Sequence, residues 1–206
     1  GDNEKYVYSS FFDENGEFKS EFVSLANSMP KIPSFRLGGT LANDINMLNT
    51  VGDVNSRQPS VYVSLPSGSG KNIGDTASNP IKMGLREWLK VIKKINRNAT
   101  VIPCISPLTT TPEDTKKIIE YISGDQSTVY GAMRIADGIS EPSVIEYIEI
   151  ANESDMAGSE AEMNTKAQWY TEQAQKQIDA VKQAYPQMKI MICGPTAPWS
   201  NQYWKR

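Results

Sequence analysis

The sequence predicts an α/β fold with a parallel sheet, on three observations. Segments whose apolar residues recur with a period near 3.6 alternate along the chain with short continuous apolar runs. The helix-like segments close on breakers, Pro30, Gly124 and Pro186, before the next run begins. Four of the runs end in polar, glycine or aromatic residues. Strands separated by helices are parallel neighbours joined by crossovers, which leaves a doubly wound sheet or a (β/α) barrel.

Taken in order, "KYVYSSF" reads as a first strand. Phe22, Leu25, Ala26 and Met29 make one face of a helix, and "PSFRL" follows as the second strand. The polar interval from Asp44 to Asn79 reads as a loop insertion after strand two, with a small strand-like "VYVSL" inside it. Excursions of this length either build part of a binding rim or decorate the surface. Leu85, Trp88, Leu89, Ile92 and Ile95 stripe a helix that leads into "ATVIPCI", the third strand. Thr111 caps the next helix and Pro112 opens it, with Glu113 and Asp114 at the positive end of its dipole and Ile118, Ile119 and Ile122 facing inward. "VIEYIEIA" is the fourth strand, and a long helix carrying Ala167, Tyr170, Ala174, Ile178, Val181 and Tyr185 precedes the fifth, "MKIMIC".

At this pace an eight-fold barrel takes well over about 300 residues, so the expectation is a parallel (β/α) barrel of TIM type, incomplete, showing about its first five strands. On that reading 1–206 is the amino-terminal part of a catalytic domain. Open strand edges and an unfilled interior favour association. The chain is therefore expected to self-associate or to be completed by a missing carboxy-terminal half.

Composition removes whole classes of function. A net charge of -3 with scattered Lys and Arg gives no basic stripe, so nucleic acid is not an expected partner. No apolar stretch approaches the roughly 20 residues that span a bilayer, so no membrane is expected either. The polar lead after Gly1 is consistent with a secreted or periplasmic protein. Cys104 and Cys193 both close apolar runs and read as buried free thiols. The chain holds no histidine, which excludes a Ser-His-Asp triad, a Cys-His pair and a His-ligated zinc from these residues. Neither "GGTLAND" nor "PSGSGKN" fits a nucleotide-binding template, and no metal or cofactor is expected.

The chemistry gathers at the strand ends, where the βα loops of parallel folds converge. Arg36 with "GGT" follows the second strand, "SPLTTT" the third, Asn152-Glu153 the fourth and "GPTAPW", with Trp199, the fifth. A carboxylate there suits glycosidic bond cleavage, in which a protonated acid reaches the leaving oxygen and a second carboxylate attacks or activates water. Glu149 alternates with Glu153 on the same side of the strand. Under about 7 Å deeper, it would meet the same face of a sugar and so reads as a paired structural residue. Arg36 reads equally as an ion-pair partner in the interior and as a cleft residue. Trp199, Tyr203 and Trp204 either stack on sugar rings or simply pack.

"YIEIANESD" resembles the stretch that ends the fourth barrel strand in the clan of retaining (β/α)8 glycoside hydrolases, clan A, where Asn-Glu holds the acid/base. The run from "GLREWLKVIKKIN" to "YGAMRIADGISEPSVIEYIEIANES" is similar in order and spacing to family 51 α-L-arabinofuranosidases. "FRLGGTLAND" resembles instead the heparanase-like β-glucuronidases of family 79. The likeness covers most of residues 18–200. It implies a retaining glycosidase acting on polysaccharide or oligosaccharide, with Glu153 as general acid/base, Asn152 on the sugar 2-hydroxyl and Arg36 supporting the cleft. The nucleophile of the clan ends a seventh strand, which these residues do not reach. Ala151 stands where the family 51 pattern has glycine. The alternative is a non-catalytic carbohydrate-binding or scaffold domain of the same fold.

Overall fold

The four apolar runs from "PSFRL" onward form one parallel sheet. The computed structural model describes the backbone of residues 2–60, 76, 80–152 and 160–193, and the side chains of these except 2–6, 40–41 and 160–167. The helices are α1 (Asp2–Phe11), α2 (Ser20–Ser28), α3 (Leu85–Ile95), α4 (Pro112–Ser123), α5 (Val129–Ala136) and α6 (Glu160–Ala184). The strands, β1 (Ser34–Leu37), β2 (Thr100–Ile105), β3 (Tyr147–Ile150) and β4 (Lys189–Ile192), pair in chain order, each parallel to the next. A helix separates each pair, α3 before β2, α4 and α5 before β3, α6 before β4, so the βα rhythm of the sequence is the architecture.

The stretch "KYVYSSF" is helical, not a strand: it lies within α1. Its residues have strand propensity, but tertiary packing overrides it. Tyr8, Phe11 and Phe12 have i, i+3, i+4 spacing, which only a helix brings to one face. Tyr8 stacks on Phe12 with centroids 5.0 Å apart, Phe11 meets Phe22 edge-on at 4.9 Å, and Phe12 stacks on Phe18 at 4.8 Å. This aromatic cluster joins α1 to α2 and α3. Four strands are therefore present among the described residues, and Asn152 follows the third of them.

Side-chain alternation divides the sheet into two faces. Val101, Ile105, Ile148 and Ile150 are buried beneath Leu85, Leu89 and Ile92 of α3, Ile118, Ile119 and Ile122 of α4, and Tyr170, Ala174 and Val181 of α6. The residues between them, Arg36, Cys104, Glu149 and Met191, stand on the opposite face. The register sets Cys104 beside Glu149 and Glu149 beside Met191, so the charged pair of that face lies across three adjacent strands.

The helix faces follow the sequence with local exceptions. Thr111 caps α4 by accepting from the Asp114 N–H at 3.1 Å, and Gly124 follows its last turn. Phe22 and Ala26 are buried but Leu25 is exposed, because α2 presents a narrower stripe than its apolar residues suggest. On α6 the buried position is Gln177 rather than Ile178. Its carboxamide accepts from Thr115 Oγ1 at 2.6 Å and donates to the Thr110 carbonyl at 2.6 Å, tying α6 to α4. The interval after β1 opens with three short 3-10 turns, Thr40–Asp44, Met47–Thr50 and Val54–Ser56. The strand-like "VYVSL" lies outside the described residues.

Candidate functional site

The site is assembled where β1, β2 and β3 end. Arg36 on β1 extends over the sheet and forks onto Glu149 of β3, with Nε 2.5 Å from Oε2 and Nη2 2.9 Å from Oε1. Nη2 also donates to Asn152 Oδ1 at 2.8 Å. One guanidinium thus holds both the carboxylate inside the strand and the amide just past its end. The planar fork of arginine suits this double task, which a lysine could not perform. Its hydrogen bonds with Glu149 raise the Arg36 pKa further above its ordinary value. Glu149 is paired, as its depth in the strand implied, and Arg36 is its ion-pair partner, with the same guanidinium reaching Asn152.

The "GGT" after Arg36 has a steric explanation. A Cβ on Gly38 would lie 2.8 Å from Arg36 Cζ and 2.9 Å from Cys104 Cβ, so only glycine lets the guanidinium lie across the sheet at that point. Gly39, at φ 123°, turns the chain through a conformation that side chains rarely adopt. The chain then enters the 3-10 turn that carries Asn43.

Asn152, 6% exposed, is held by its backbone as well as its side chain. Asn43 Nδ2 donates to the Asn152 carbonyl at 2.7 Å, and Asn43 Oδ1 accepts from the Asn152 N–H at 3.2 Å. Ser106, at the end of β2 and 1% exposed, donates from Oγ to the Asn43 carbonyl at 2.7 Å. Just before Asn152 the chain passes through Ala151 at φ 64°, the left-handed region, while the Ala151 N–H donates to the Ile105 carbonyl at 2.7 Å. A residue without Cβ would adopt this bend more readily than alanine does.

Glu153 and Trp199 lie outside the described residues. Of the residues the sequence singled out, the structure brings together Arg36, Glu149 and Asn152, with Gly38 leaving room for the guanidinium, and it adds Asn43 and Ser106. Asn43 had only a faint signal, a polar residue in a loop leaving a strand end, while the distance of 109 residues to its partner hid the contact.

The two cysteines are free thiols. Cys104 is buried, whereas Cys193, just past the last strand among the described residues, is only half-buried. Burial, reinforced by the adjacent Glu149 charge, pushes the Cys104 thiol up to about 12. A thiol raised so far stays protonated at neutral pH, and the thiolate is the nucleophilic form. Among the described residues no group of three or more His, Cys, Asp or Glu side chains gathers as a metal site. Two clefts, of about 530 and 600 Å³, lie beside α3 and the α1–α2 turn, and neither is lined by a residue of the strand-end site. Among the described residues no helix is long and apolar enough to cross a membrane.

A parallel βα sheet with an arginine-organised polar mouth at its strand ends is the architecture of part of a (β/α) barrel. The family model "Alpha-L-arabinofuranosidase 1 domain" matches residues 31–204. The chain belongs to that family. Probable alpha-L-arabinofuranosidase A of Aspergillus niger is 41% identical over 79 residues, 38% of this chain and 12% of that protein. Alpha-L-arabinofuranosidase C of Emericella nidulans is 24% identical over 193 residues, 93% of this chain and 35% of that protein. Among solved structures, a family 51 alpha-L-arabinofuranosidase from Bifidobacterium longum matches 91% of this chain and 34% of its own, with a TM-score of 0.65 at 21% identity. The enzyme from Thermotoga maritima matches 94% and 37% with a TM-score of 0.62 at 22% identity. The chain thus spans about a third or less of the length of these relatives, and the structural likeness is one of TIM-barrel fold.

Proposed function

We propose that these residues form the amino-terminal part of an α-L-arabinofuranosidase-like glycoside hydrolase that cleaves polysaccharide or oligosaccharide by the retaining two-carboxylate mechanism. The observation that carries the reading is the fork of Arg36 onto both Glu149 and Asn152. It holds the amide at the strand end with Oδ1 turned to the guanidinium, which supports a role for the amide there as a hydrogen-bond donor. In this reading Asn152 donates to the sugar 2-hydroxyl, a contact that contributes to rate if it strengthens in the transition state. Glu153, the next residue, is the acid/base: it protonates the departing oxygen and later takes a proton from the attacking water.

The second carboxylate has to lie about 5 Å from the first on the other face of the sugar. Glu149 is an unsuitable nucleophile, being engaged at both oxygens by Arg36 and set deeper on the same strand. We therefore assign the nucleophile to a residue outside these 206. Trp199 is proposed to stack on a sugar ring, and 44–79 to be an insertion that shapes the rim.

The test is an assay of the 206-residue chain and of the full-length protein on aryl arabinofuranosides and glucuronides. The full-length protein is expected to turn over the arabinofuranoside and to lose this in Glu153→Gln, while the short chain stays inactive. Turnover by the short chain that disappears in Glu153→Gln would refute the external nucleophile. Sugar binding without turnover in the full-length protein would point to the carbohydrate-binding alternative.

A further inference from the structure

We propose that Asn43 is the positioning residue of the mouth, setting the orientation of Asn152 where the chain leaves β3. The inference rests on the assignment of Asn152 as a sugar contact. Its basis is the way the peptide of Asn152 is held. The strand ladder ends one residue earlier, at the bond from the Ala151 N–H to the Ile105 carbonyl. Beyond it the carboxamide of Asn43 takes the part of a neighbouring strand, giving a donor to the Asn152 carbonyl at 2.7 Å and an acceptor to its N–H at 3.2 Å. Two antiparallel bonds to one residue fix its rotation as well as its position, which a single bond does not. Asn43 is itself anchored at a third strand end, through its carbonyl and Ser106 Oγ at 2.7 Å.

The clamp has something to resist. Ala151 sits at φ 64°, a conformation that persists in a residue with a Cβ only where its surroundings over-determine it. Without the Asn43 pair, the 151–152 backbone relaxes toward an extended path and turns the Asn152 side chain away from Arg36. Arg36 holds only the end of that side chain. Asn43 holds the frame from which it projects.

The experiment uses the full-length protein and two substrates, an aryl α-L-arabinofuranoside and its 2-deoxy analogue. Asn43→Ala is expected to lower kcat/KM by about 10- to 100-fold on the parent sugar, the cost of misplacing a binding group by about 1 Å. On the 2-deoxy analogue, where the 2-hydroxyl contact is absent, the loss is expected to shrink to less than about 3-fold. Asn43→Asp, nearly identical in shape, replaces the donor to the Asn152 carbonyl by a carboxylate oxygen. Its activity relative to the parent protein is expected to recover as pH falls through the pKa of the introduced carboxyl, which can donate once protonated; Asn43→Ala has no such recovery. Equal losses on both substrates with no acid recovery would overturn the inference. Asn152→Ala separates the layers: if it discriminates between the two sugars and the Asn43 variants do not, only the role of Asn43 falls. If Asn152→Ala does not discriminate, the assignment of Asn152 falls and this inference with it.

Discussion

Substitution of Ala151 by glycine tests whether the end of β3 stores strain. A left-handed backbone costs a residue with a Cβ about 1–2 kcal/mol, and glycine would relieve it. Against this stand the loss of a buried methyl, about 0.8 kcal/mol, and the larger unfolded-state freedom of glycine, about 0.4–1 kcal/mol. Ala151 is 3% exposed, so the methyl loss applies nearly in full. The terms nearly cancel, and Ala151→Gly should fall within about 0.8 kcal/mol of neutral on either side. Ala26 in α2 is 0% exposed and at ordinary helical angles, so Ala26→Gly removes the same methyl with no strain to release. Its expected cost is about 1.8 kcal/mol, from helix propensity and the methyl together. Urea unfolding of the 206-residue chain, followed by circular dichroism, measures both. A loss at Ala151→Gly as large as that at Ala26→Gly would show that the bend is not strained and would remove the reason for Asn43 to clamp it.

Gly38→Ala is expected to displace the Arg36 guanidinium and lower kcat/KM of the full-length protein about 10- to 100-fold, and a double-mutant cycle with Arg36→Ala should show the two losses to be strongly non-additive. Asp114 is partly desolvated, which alone would raise its pKa, but hydrogen bonds from Lys117, Thr111 and Asn46 together hold it below the ordinary carboxylate value. A depressed folded pKa stabilises above the unfolded value and is lost as pH falls through the folded one. The melting-temperature advantage of the parent chain over Asp114→Asn should therefore shrink as pH falls through and below the ordinary aspartate value of about 4, and an advantage that grew on acidification would contradict the assignment.

The sequence made the parallel sheet legible because its signals are local. Val101, Ile105, Ile148 and Ile150 are continuous or alternating apolar runs, and Thr111, Pro112 and Gly124 mark α4 without reference to anything distant. The first element misled for the converse reason: Tyr, Val and Phe favour strands locally, and only the partners Phe18, Phe22 and Trp88 make a helix the better burial. The site divides along the same line. Asn152 and Arg36 could be picked out because each follows or sits in an apolar run, whereas the use of Glu149 depends on a partner 113 residues away and that of Asn43 on one 109 away. Gly38 was visible as a residue, but its reason, the guanidinium passing over it, is a property of packing.

The excursion after β1 is tied down by a feature that periodicity concealed. Glu87 lies on α3 among apolar residues and is 3% exposed, a position where an unpaired charge is costly to bury. Arg57 meets it with Nη1 and Nη2 both at 2.9 Å, and the same guanidinium donates to the carbonyls of Gly52 and Ile81 at 2.8 Å each. Glu87 also accepts from the Gly84 N–H at 3.0 Å, capping α3 where Gly84 has no side chain to do so. One buried ion pair therefore joins the outgoing limb, the returning limb and the helix that follows, whatever path the chain takes between 60 and 80. Replacing such a pair with well-packed apolar residues can be nearly neutral, but removing one partner leaves a buried charge uncompensated at about 3–5 kcal/mol. Glu87→Gln is expected to cost that much, a fall of about 6–20 °C in melting temperature for a chain of this length. The double replacement Arg57→Met with Glu87→Leu should recover part of it. A double variant as unstable as Glu87→Gln alone would mean that the guanidinium's bonds to the Gly52 and Ile81 carbonyls, rather than charge pairing, hold the two limbs together.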